Sequence, residues 1–451
     1  MASNTVSTDN DNLAFIVLGT TNNDTVRDIL VTDNAIYILS NPGSKHVNIF
    51  CLDKLYNLKW AIDIYGDEVR RAGRLAYYNG YLYVTYHVYE KIDNIGYFRP
   101  LVVAKIDQSG NIVKAIKFVD TTTQPGSTDI IVVNDKIYVS YVSTYYYPGY
   151  PALIELTPDL EVLRYKFPKW EDFPLHYLFY YNNNIYVIGI WNSGDIDKGS
   201  YIAVMAFDIQ SFNLTTAFKV AVNASSTDLD WTLFNCDLDE SRGVVWCGGW
   251  LSLYEGDSSS YTNWHDGGVV VGIDLDTESI VDVMHFKDYY IQDIKSYIAA
   301  GIYYVNPDKV FNPELGTSHV IDFNYYVYAD DYPAIVSDDV DAADIVDDSG
   351  NYISGRISYE STGKDIFIMR ITRESISDGI IFQDVNYNSI DWNTSVTTAN
   401  YTLKNHVYVE DKSISYADTT LSYTYITPSK TKITDITLRY YYSGRAWAVS
   451  Y

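Results

Sequence analysis

The sequence predicts an all-β protein built from seven repeated four-stranded units, and three observations support this. Tyrosine accounts for 45 of 451 residues, and with Val, Ile and Thr it favours half-buried pleated strands. A polar turn that runs into a short β-branched and aromatic strand recurs along the chain, as in residues 134–140. An apolar strand ending in Asp follows many copies, as in residues 101–107.

The repeat is most easily followed from Tyr138 in the aromatic strand. Its counterparts in the other repeats are Tyr37, Tyr83, Tyr186, Trp246, Tyr303 and Tyr352. The mean spacing is about 52 residues, at or just above the length of a propeller blade. We refer to these seven residues as the reference positions.

Each repeat contains four predicted strands, A to D. Strand A precedes the aromatic strand B, strand C is the apolar strand ending in Asp, and strand D alternates, as in residues 112–116. Strict alternation is typical of an outer strand with one packed face. Four-stranded sheets repeated radially protect their edges, so residues 13–385 are predicted to form a seven-bladed β-propeller of four-stranded antiparallel blades.

This succession of turn, Ile-Tyr-Val, apolar strand ending in Asp, Gly-Asn and alternating strand resembles the degenerate repeats of bacterial and archaeal propellers. These include the quinoprotein-like and β-propeller-repeat families. The resemblance spans roughly residues 27–385 and implies a fold rather than a particular function. By composition alone, the Tyr-, Ile-, Asn- and Thr-rich chain looks like a structural protein of a virus that infects hyperthermophilic archaea.

The two ends fall outside the repeat. Residues 1–12 are predicted to be a flexible arm, and residues 13–18 are a candidate clasp strand for the last blade. Residues 386–451 stay β-like without repeating, which predicts a small C-terminal extension or sandwich used for self-assembly. The sixth repeat is irregular, because residues 306–318 look like a long loop.

Charge and cysteine content limit the partners and the location. A net charge of -26 disfavours nucleic acid and anionic membranes, and neither a membrane-spanning run nor a signal peptide is seen. We expect a virion or extracellular surface location, or otherwise a cytoplasmic one. Cys236 and Cys247 flank one predicted hairpin and either pair across it or remain reduced, the second being preferred.

Binding is predicted on the face that carries the B–C loops, because most of the long connections lie there and loops on a rigid scaffold carry function. Two of these loops are rich in aromatic residues, which stack on sugars or anchor protein partners. Local packing of these rings is the alternative. The predicted binding residues are Tyr145, Tyr146, Tyr147, Tyr150, Trp191, Trp250, Tyr261, Trp264 and His265.

No catalytic or metal-binding residue is predicted, and no cofactor. Calcium is an open alternative at the acidic run 338–348 and at residues 192–197, although a solvated acidic linker explains the first better. The sequence contains no phosphate-binding loop, dinucleotide fingerprint or nucleophile elbow.

The sequence suggests three functions of different classes. A non-enzymatic binding or structural protein, presenting propeller loops to a protein or glycan, fits the missing catalytic motifs best. The alternative is a glycan hydrolase or lyase with carboxylates at the channel mouth. A quinoprotein-like dehydrogenase is disfavoured because no cofactor-stacking set is visible.

Overall fold

A computed structural model provides the fold, and the parts of the chain that it describes form β-strands and turns. The described residues are 13–20, 25–42, 45–66, 69–88, 90–92, 96–98, 100–119, 125–143, 151–168, 175–192, 200–224, 229–255, 263–287, 303–305, 309–312, 317–321, 335–347, 350–359, 363–371, 382–385, 403–408, 421–442 and 445–450. No helix within these ranges is long and apolar enough to cross a membrane.

Strand β1 (Leu13–Gly19) belongs to the last blade, and the first three blades follow it. Blade 1 consists of β2 (Val26–Val31), β3 (Ile36–Ser40), β4 (His46–Leu52) and β5 (Leu58–Tyr65). Blade 2 consists of β6 (Val69–Tyr78), β7 (Tyr81–Val88), β10 (Leu101–Ile106) and β11 (Ile112–Val119), with β8 (Glu90–Ile92) and β9 (Gly96–Phe98) as a separate hairpin. Blade 3 consists of β12 (Pro125–Val133), β13 (Lys136–Ser143), β14 (Pro151–Leu156) and β15 (Val162–Lys166).

Four more blades complete the set. Blade 4 consists of β16 (Leu175–Tyr181), β17 (Asn184–Asn192), β18 (Ser200–Asp208) and β19 (Leu214–Ala224). Blade 5 consists of β20 (Leu229–Asp239), β21 (Val244–Glu255), β22 (Asn263–Asp274) and β23 (Ser279–Lys287). Blade 6 consists of β24 (Tyr303–Val305), β25 (Lys309–Asn312), β26 (Thr317–Ile321) and β30 (Phe382–Val385). Blade 7 consists of β27 (Ile335–Asp347), β28 (Gly350–Tyr359), β29 (Gly363–Ile371) and β1.

The blades follow one another around a common axis. Among the described residues, the first strands of blades 7, 1, 2, 3, 4 and 5 contact one another in that order, through β27, β2, β6, β12, β16 and β20. Apolar clusters fill the spaces between neighbouring blades, from blades 7 and 1 through to blades 4 and 5. Tyr83 and Tyr138 are fully buried in these layers. The predicted seven-bladed propeller is confirmed, and the reference residues Tyr37, Tyr83, Tyr138 and Tyr186 are buried between blades. Tyr303 lies on β24, the first strand of blade 6, and not on the second strand as predicted.

The N-terminal strand closes the ring. Strand β1 pairs antiparallel with β29 of blade 7, where Leu18 lies opposite Ile366. Both side chains are fully buried against blade 1. The candidate clasp strand therefore supplies the fourth strand of the last blade.

The C-terminal strands form an extension along the outer edges of the blades. We call them the C-terminal belt: β31 (Leu403–Tyr408), β32 (Ser422–Ile426), β33 (Lys430–Lys432), β34 (Thr437–Tyr442) and β35 (Arg445–Ser450). The first four pair with β19, β11, β5 and β1, so the belt runs backwards from blade 4 through blades 2 and 1 to blade 7. Covering edge strands in this way blocks pairing with other chains.

Three expectations from the sequence were wrong. Residues 306–318, interpreted as one long loop, contain β25 and the start of β26. Residues 338–347 of the supposed acidic linker lie in β27, the first strand of blade 7. Cys236 and Cys247 are joined in a disulfide rather than reduced, because they lie directly opposite each other on β20 and β21 with Cα atoms 4.1 Å apart.

Candidate functional site

The face that carries the A–B and C–D turns is occupied by bonds between blades. Trp60 Nε1 donates to the carbonyl oxygen of Gln108 in the next blade, at 2.8 Å. Lys105 Nζ pairs with Asp159 at 2.8 Å, again in the next blade. The recurring partner is a C–D turn, which fastens this face.

The A–B and C–D turns on the fastened face are short. In the A–B turn Asn79-Gly80, both residues have positive φ, 48° and 83°, the conformation favoured by two-residue hairpins. In the C–D turns an Asp caps the turn, since Asp107 Oδ1 accepts from the backbone N–H groups of Ser109 and Asn111. These bonds explain the recurring Asp at the end of strand C.

Blade 5 extends much further on the B–C face than blade 1. Strand β21 continues for nine residues after the reference Trp246, and β3 continues for three after Tyr37. The six extra residues add about 20 Å at roughly 3.3 Å per residue. Strands β21 and β22 remain paired to Glu255 and Asn263. The end of blade 5 therefore projects from the ring as a long hairpin.

This hairpin carries three of the predicted binding residues. Trp250 pairs with Gly268, Trp264 with Tyr254, and His265 with Leu253. Because residues alternate along a strand, the register places Trp250, Tyr254 and Trp264 on one face of the hairpin and His265 on the other. Tyr254 was not among the predicted binding residues, although its place at the start of the aromatic loop was a usable signal.

Of the remaining predicted binding residues, the structure describes Trp191 alone. Trp191 lies opposite Tyr201 near the end of the β17–β18 pairing in blade 4. Tyr145, Tyr146, Tyr147, Tyr150 and Tyr261 lie outside the described residues. Whether these residues share one surface with Trp250 and Trp264 stays a prediction.

Four polar or aromatic residues occupy equivalent positions on the first strands of blades 1 to 4. Asp28, Asp129 and Tyr177 each lie opposite the residue two places after the reference position of their blade. In blade 2, Arg74 N donates to Thr85 Oγ1, at the same level. Arg74 contacts both Asp28 and Tyr177, and its charge acts on Asp129. The four residues therefore form one cluster on the first strands, which we call the channel cluster.

The two carboxylates of the channel cluster bind backbone of the following blade. Asp28 Oδ2 accepts from the N–H of Leu75 at 2.8 Å, and Asp129 Oδ2 accepts from the N–H of Leu178 at 2.8 Å. Arg74 Nη1 lies 3.4 Å from Asp28 Oδ1. The carboxylates thus fix the inter-blade register, in addition to any chemistry that they support.

The environment of Asp129 favours its neutral form. Burial raises the pKa of this carboxyl, and the charge of Asp28 raises it further. The Arg74 charge and the N–H groups of Leu178 and Ile130 oppose this without cancelling it. A carboxyl with a raised pKa beside a second carboxylate can hold a proton for acid–base work.

Sequence reasoning missed the channel cluster, although a signal was present. Asp28 and Asp129 both stand nine residues before the reference tyrosine of their repeats. No group of three or more His, Cys, Asp or Glu side chains suited to a metal occurs among the described residues. The second calcium candidate, residues 192–197, lies outside them except for Asn192.

Comparisons with known proteins give a limited result. No protein-family model matches the chain, and no curated protein matches it. Among solved structures, the chain is similar to a subtype N10 neuraminidase-like protein of A/little yellow-shouldered bat/Guatemala/060/2010. The identity is 9%, the TM-score is 0.35, and the match covers 80% of this chain and 98% of that one.

Proposed function

We propose that the protein is a non-enzymatic binding or structural component of a virion or extracellular surface. In this proposal the B–C face binds a protein or a glycan, and the hairpin of blade 5 makes the main contact. The observation that carries the proposal is the projection of this hairpin, with Trp250, Tyr254 and Trp264 placed on one face by the strand register. Aromatic residues are frequent anchors at binding surfaces.

Two further observations support this proposal. The Cys236–Cys247 disulfide suits an oxidising location, such as a virion or cell surface, since cytosolic thiols are usually kept reduced. The bonds that fasten the opposite face engage its turns in holding the blades together. Self-assembly through residues 386–451 belongs to the same proposal, with the belt as the contact between copies.

A binding experiment tests the proposed surface. Purified protein is applied to a glycan array and cross-linked to isolated particles or cell envelopes, with partners identified by mass spectrometry. The Trp250→Ala/Trp264→Ala double variant is expected to lose at least tenfold in affinity. Leu55→Ala is the control, because Leu55 is an exposed apolar residue in a C–D turn on the opposite face and the variant should bind normally. Equal binding by both variants, or a protein found only free in the cytosol, contradicts the proposal.

The channel cluster favours a second candidate, a glycan hydrolase or lyase. Asp129, with its raised pKa, would act as the general acid, and Asp28 would stabilise positive charge. Release of reducing ends from the glycans bound on the array tests this candidate, with Asp129→Asn expected to abolish it. Binding without any turnover supports the first candidate instead.

A further inference from the structure

A row of oxygen-bearing residues crosses blade 1 and reaches the belt. On neighbouring strands, Ser40 of β3 lies opposite Asn48 of β4, and Asn48 lies opposite Asp63 of β5. Asp63 in turn lies opposite Thr431 of the belt strand β33. Directly opposed residues on neighbouring strands share a face of the sheet and lie close together. Such a row is unusual beside an otherwise apolar inter-blade layer.

Two side-chain oxygens in this row are buried without a hydrogen-bond donor. Asn48 is 3% exposed, and within the described part of the chain neither Asn48 Oδ1 nor Asp63 Oδ1 has a donor. The other oxygen of the same carboxylate, Asp63 Oδ2, lies 2.8 Å from His46 Nδ1. The His46 side chain is 42% exposed, so the row leads from solvent into the interior.

A buried hydrogen-bond acceptor without a donor destabilises the folded protein, and two adjacent acceptors, one of them a carboxylate oxygen, destabilise it more. A positive charge between them would offset this cost. Carboxylate and amide oxygens are the ligands preferred by hard cations such as Ca²⁺. The bond between Asp63 and His46 orients the carboxylate, as partners in the outer shell do at metal sites.

We infer that Asp63 Oδ1 and Asn48 Oδ1 are ligands of a small hard cation, with water completing the coordination shell from the His46 side. Ca²⁺ is the probe of choice because it accepts irregular oxygen geometry, whereas Mg²⁺ demands a near-ideal octahedron. The site would lie beside the pairing of β5 with β33. It lies at the B–C end of blade 1, in a different blade from the hairpin of blade 5, and does not depend on the proposed function.

The test compares unfolding with and without the cation. Full-length protein is freed of metal with a chelator, and thermal unfolding is followed in CaCl₂, in MgCl₂, and in choline chloride of equal ionic strength. CaCl₂ is expected to raise Tm by several degrees in the wild type. Binding of Tb³⁺, detected by its luminescence after tryptophan excitation, gives a second readout, because Trp60 lies on the same strand as Asp63.

Three variants decide between cation binding and simpler explanations. Asp63→Asn is expected to weaken Ca²⁺ binding at least tenfold. Asp33→Asn, which changes an exposed carboxylate at the other end of blade 1, should leave it unchanged. Asn48→Asp should be less stable without Ca²⁺ and regain stability with it.

Some outcomes overturn the inference. If the side-chain N–H of Asn48 donates to Asp63, or if one water bridges the two residues, the Tm of the wild type will not respond to Ca²⁺. In that case Ca²⁺ will not restore the stability of the Asn48→Asp variant either. An equal response of the wild type and Asp63→Asn places the cation elsewhere, which also contradicts the assignment.

Discussion

The guanidinium carbon of Arg74, in blade 2, lies 5.8 Å from the ring centroid of Tyr177, in blade 4. Blades 2 and 4 are not neighbours, so this contact passes in front of blade 3, where Asp129 occupies the same level. The same guanidinium also pairs with Asp28 of blade 1. One side chain therefore connects all four blades that contribute to the channel cluster.

Replacing Arg74 by Met should destabilise the propeller by about 1–3 kcal/mol, since removing one partner leaves a partly buried charge uncompensated. Urea unfolding at pH 7 measures this. The pKa of folded Asp129 is raised, so protonation favours the folded state, and the penalty should shrink as the pH falls towards 4. A penalty that does not change with pH contradicts the role of Arg74 beside Asp129.

Gly110→Ala should cost more stability than Gly80→Ala. Both glycines have positive φ, +80° and +83°, so both substitutions are strained, by about 1–2 kcal/mol. A Cβ at Gly110 would lie 3.0 Å from the ring of Trp60, which is fixed by its bond to Gln108. At Gly80 it would meet only the flexible end of Gln108, at 3.2 Å. Equal losses in thermal or urea unfolding would show that the Trp60 bond is not fixed.

Leu438→Ala tests how far the belt stabilises the ring. Leu438 is fully buried and lies opposite Leu18 of β1, so the cavity should cost about 2–5 kcal/mol. Leu55→Ala is the matched control, because Leu55 is 43% exposed and the change should stay within about 0.5 kcal/mol. If urea unfolding gives both variants the same small loss, the belt is dispensable for stability.

Asp239→Asn should lower stability at pH 7 by about 1–3 kcal/mol, because a buried carboxylate loses its charged hydrogen bonds. Burial alone would raise the pKa of Asp239, but bonds from Ser241 and Arg242 outweigh it and lower the pKa. A lowered folded pKa contributes stability above the unfolded value, and this is lost as the pH falls through the folded pKa. Wild type and variant should therefore converge in urea unfolding as the pH falls below 3.8 and through the lowered pKa of Asp239, and parallel pH profiles would contradict this.

Removing the disulfide with the Cys236→Ala/Cys247→Ala double variant should lower stability by about 2–3 kcal/mol, as expected for a short closed loop. The two residues are separated by 11 positions. Unfolding of the wild type in excess reductant should show a similar loss. A wild-type protein that yields two free buried thiols on mass spectrometry would contradict the pairing.

Local patterns carried most of the fold prediction. The spacing of Tyr37, Tyr83 and Tyr138 reflects one packing position between blades, so blade number and, outside blade 6, strand order followed from the repeat. In blade 6 the fourth strand, β30, follows the strands of blade 7 in the chain. Asp107 and its counterparts were recognised at the end of strand C because turn chemistry is local.

Long-range pairing escaped prediction for a physical reason. The belt strands bind blade edges mainly through backbone groups, which leave little trace in side-chain pattern. The channel cluster arises because Asp28 and Arg74 of different blades meet only after the ring has formed. The pairing of Cys236 with Cys247 depended on strand register, which a sequence alone does not specify.

The closure by β1 also has a consequence during synthesis. Leu18 is made early, whereas its partner Ile366 is made roughly 350 residues later, about 20 to 70 s at typical ribosomal rates of 5–20 residues per second. Until then β1 lacks its partner strand β29, and that side of its backbone is unpaired. The nascent chain thus has to remain unclosed throughout translation, and a chaperone that shields its first strand would raise the yield of closed rings.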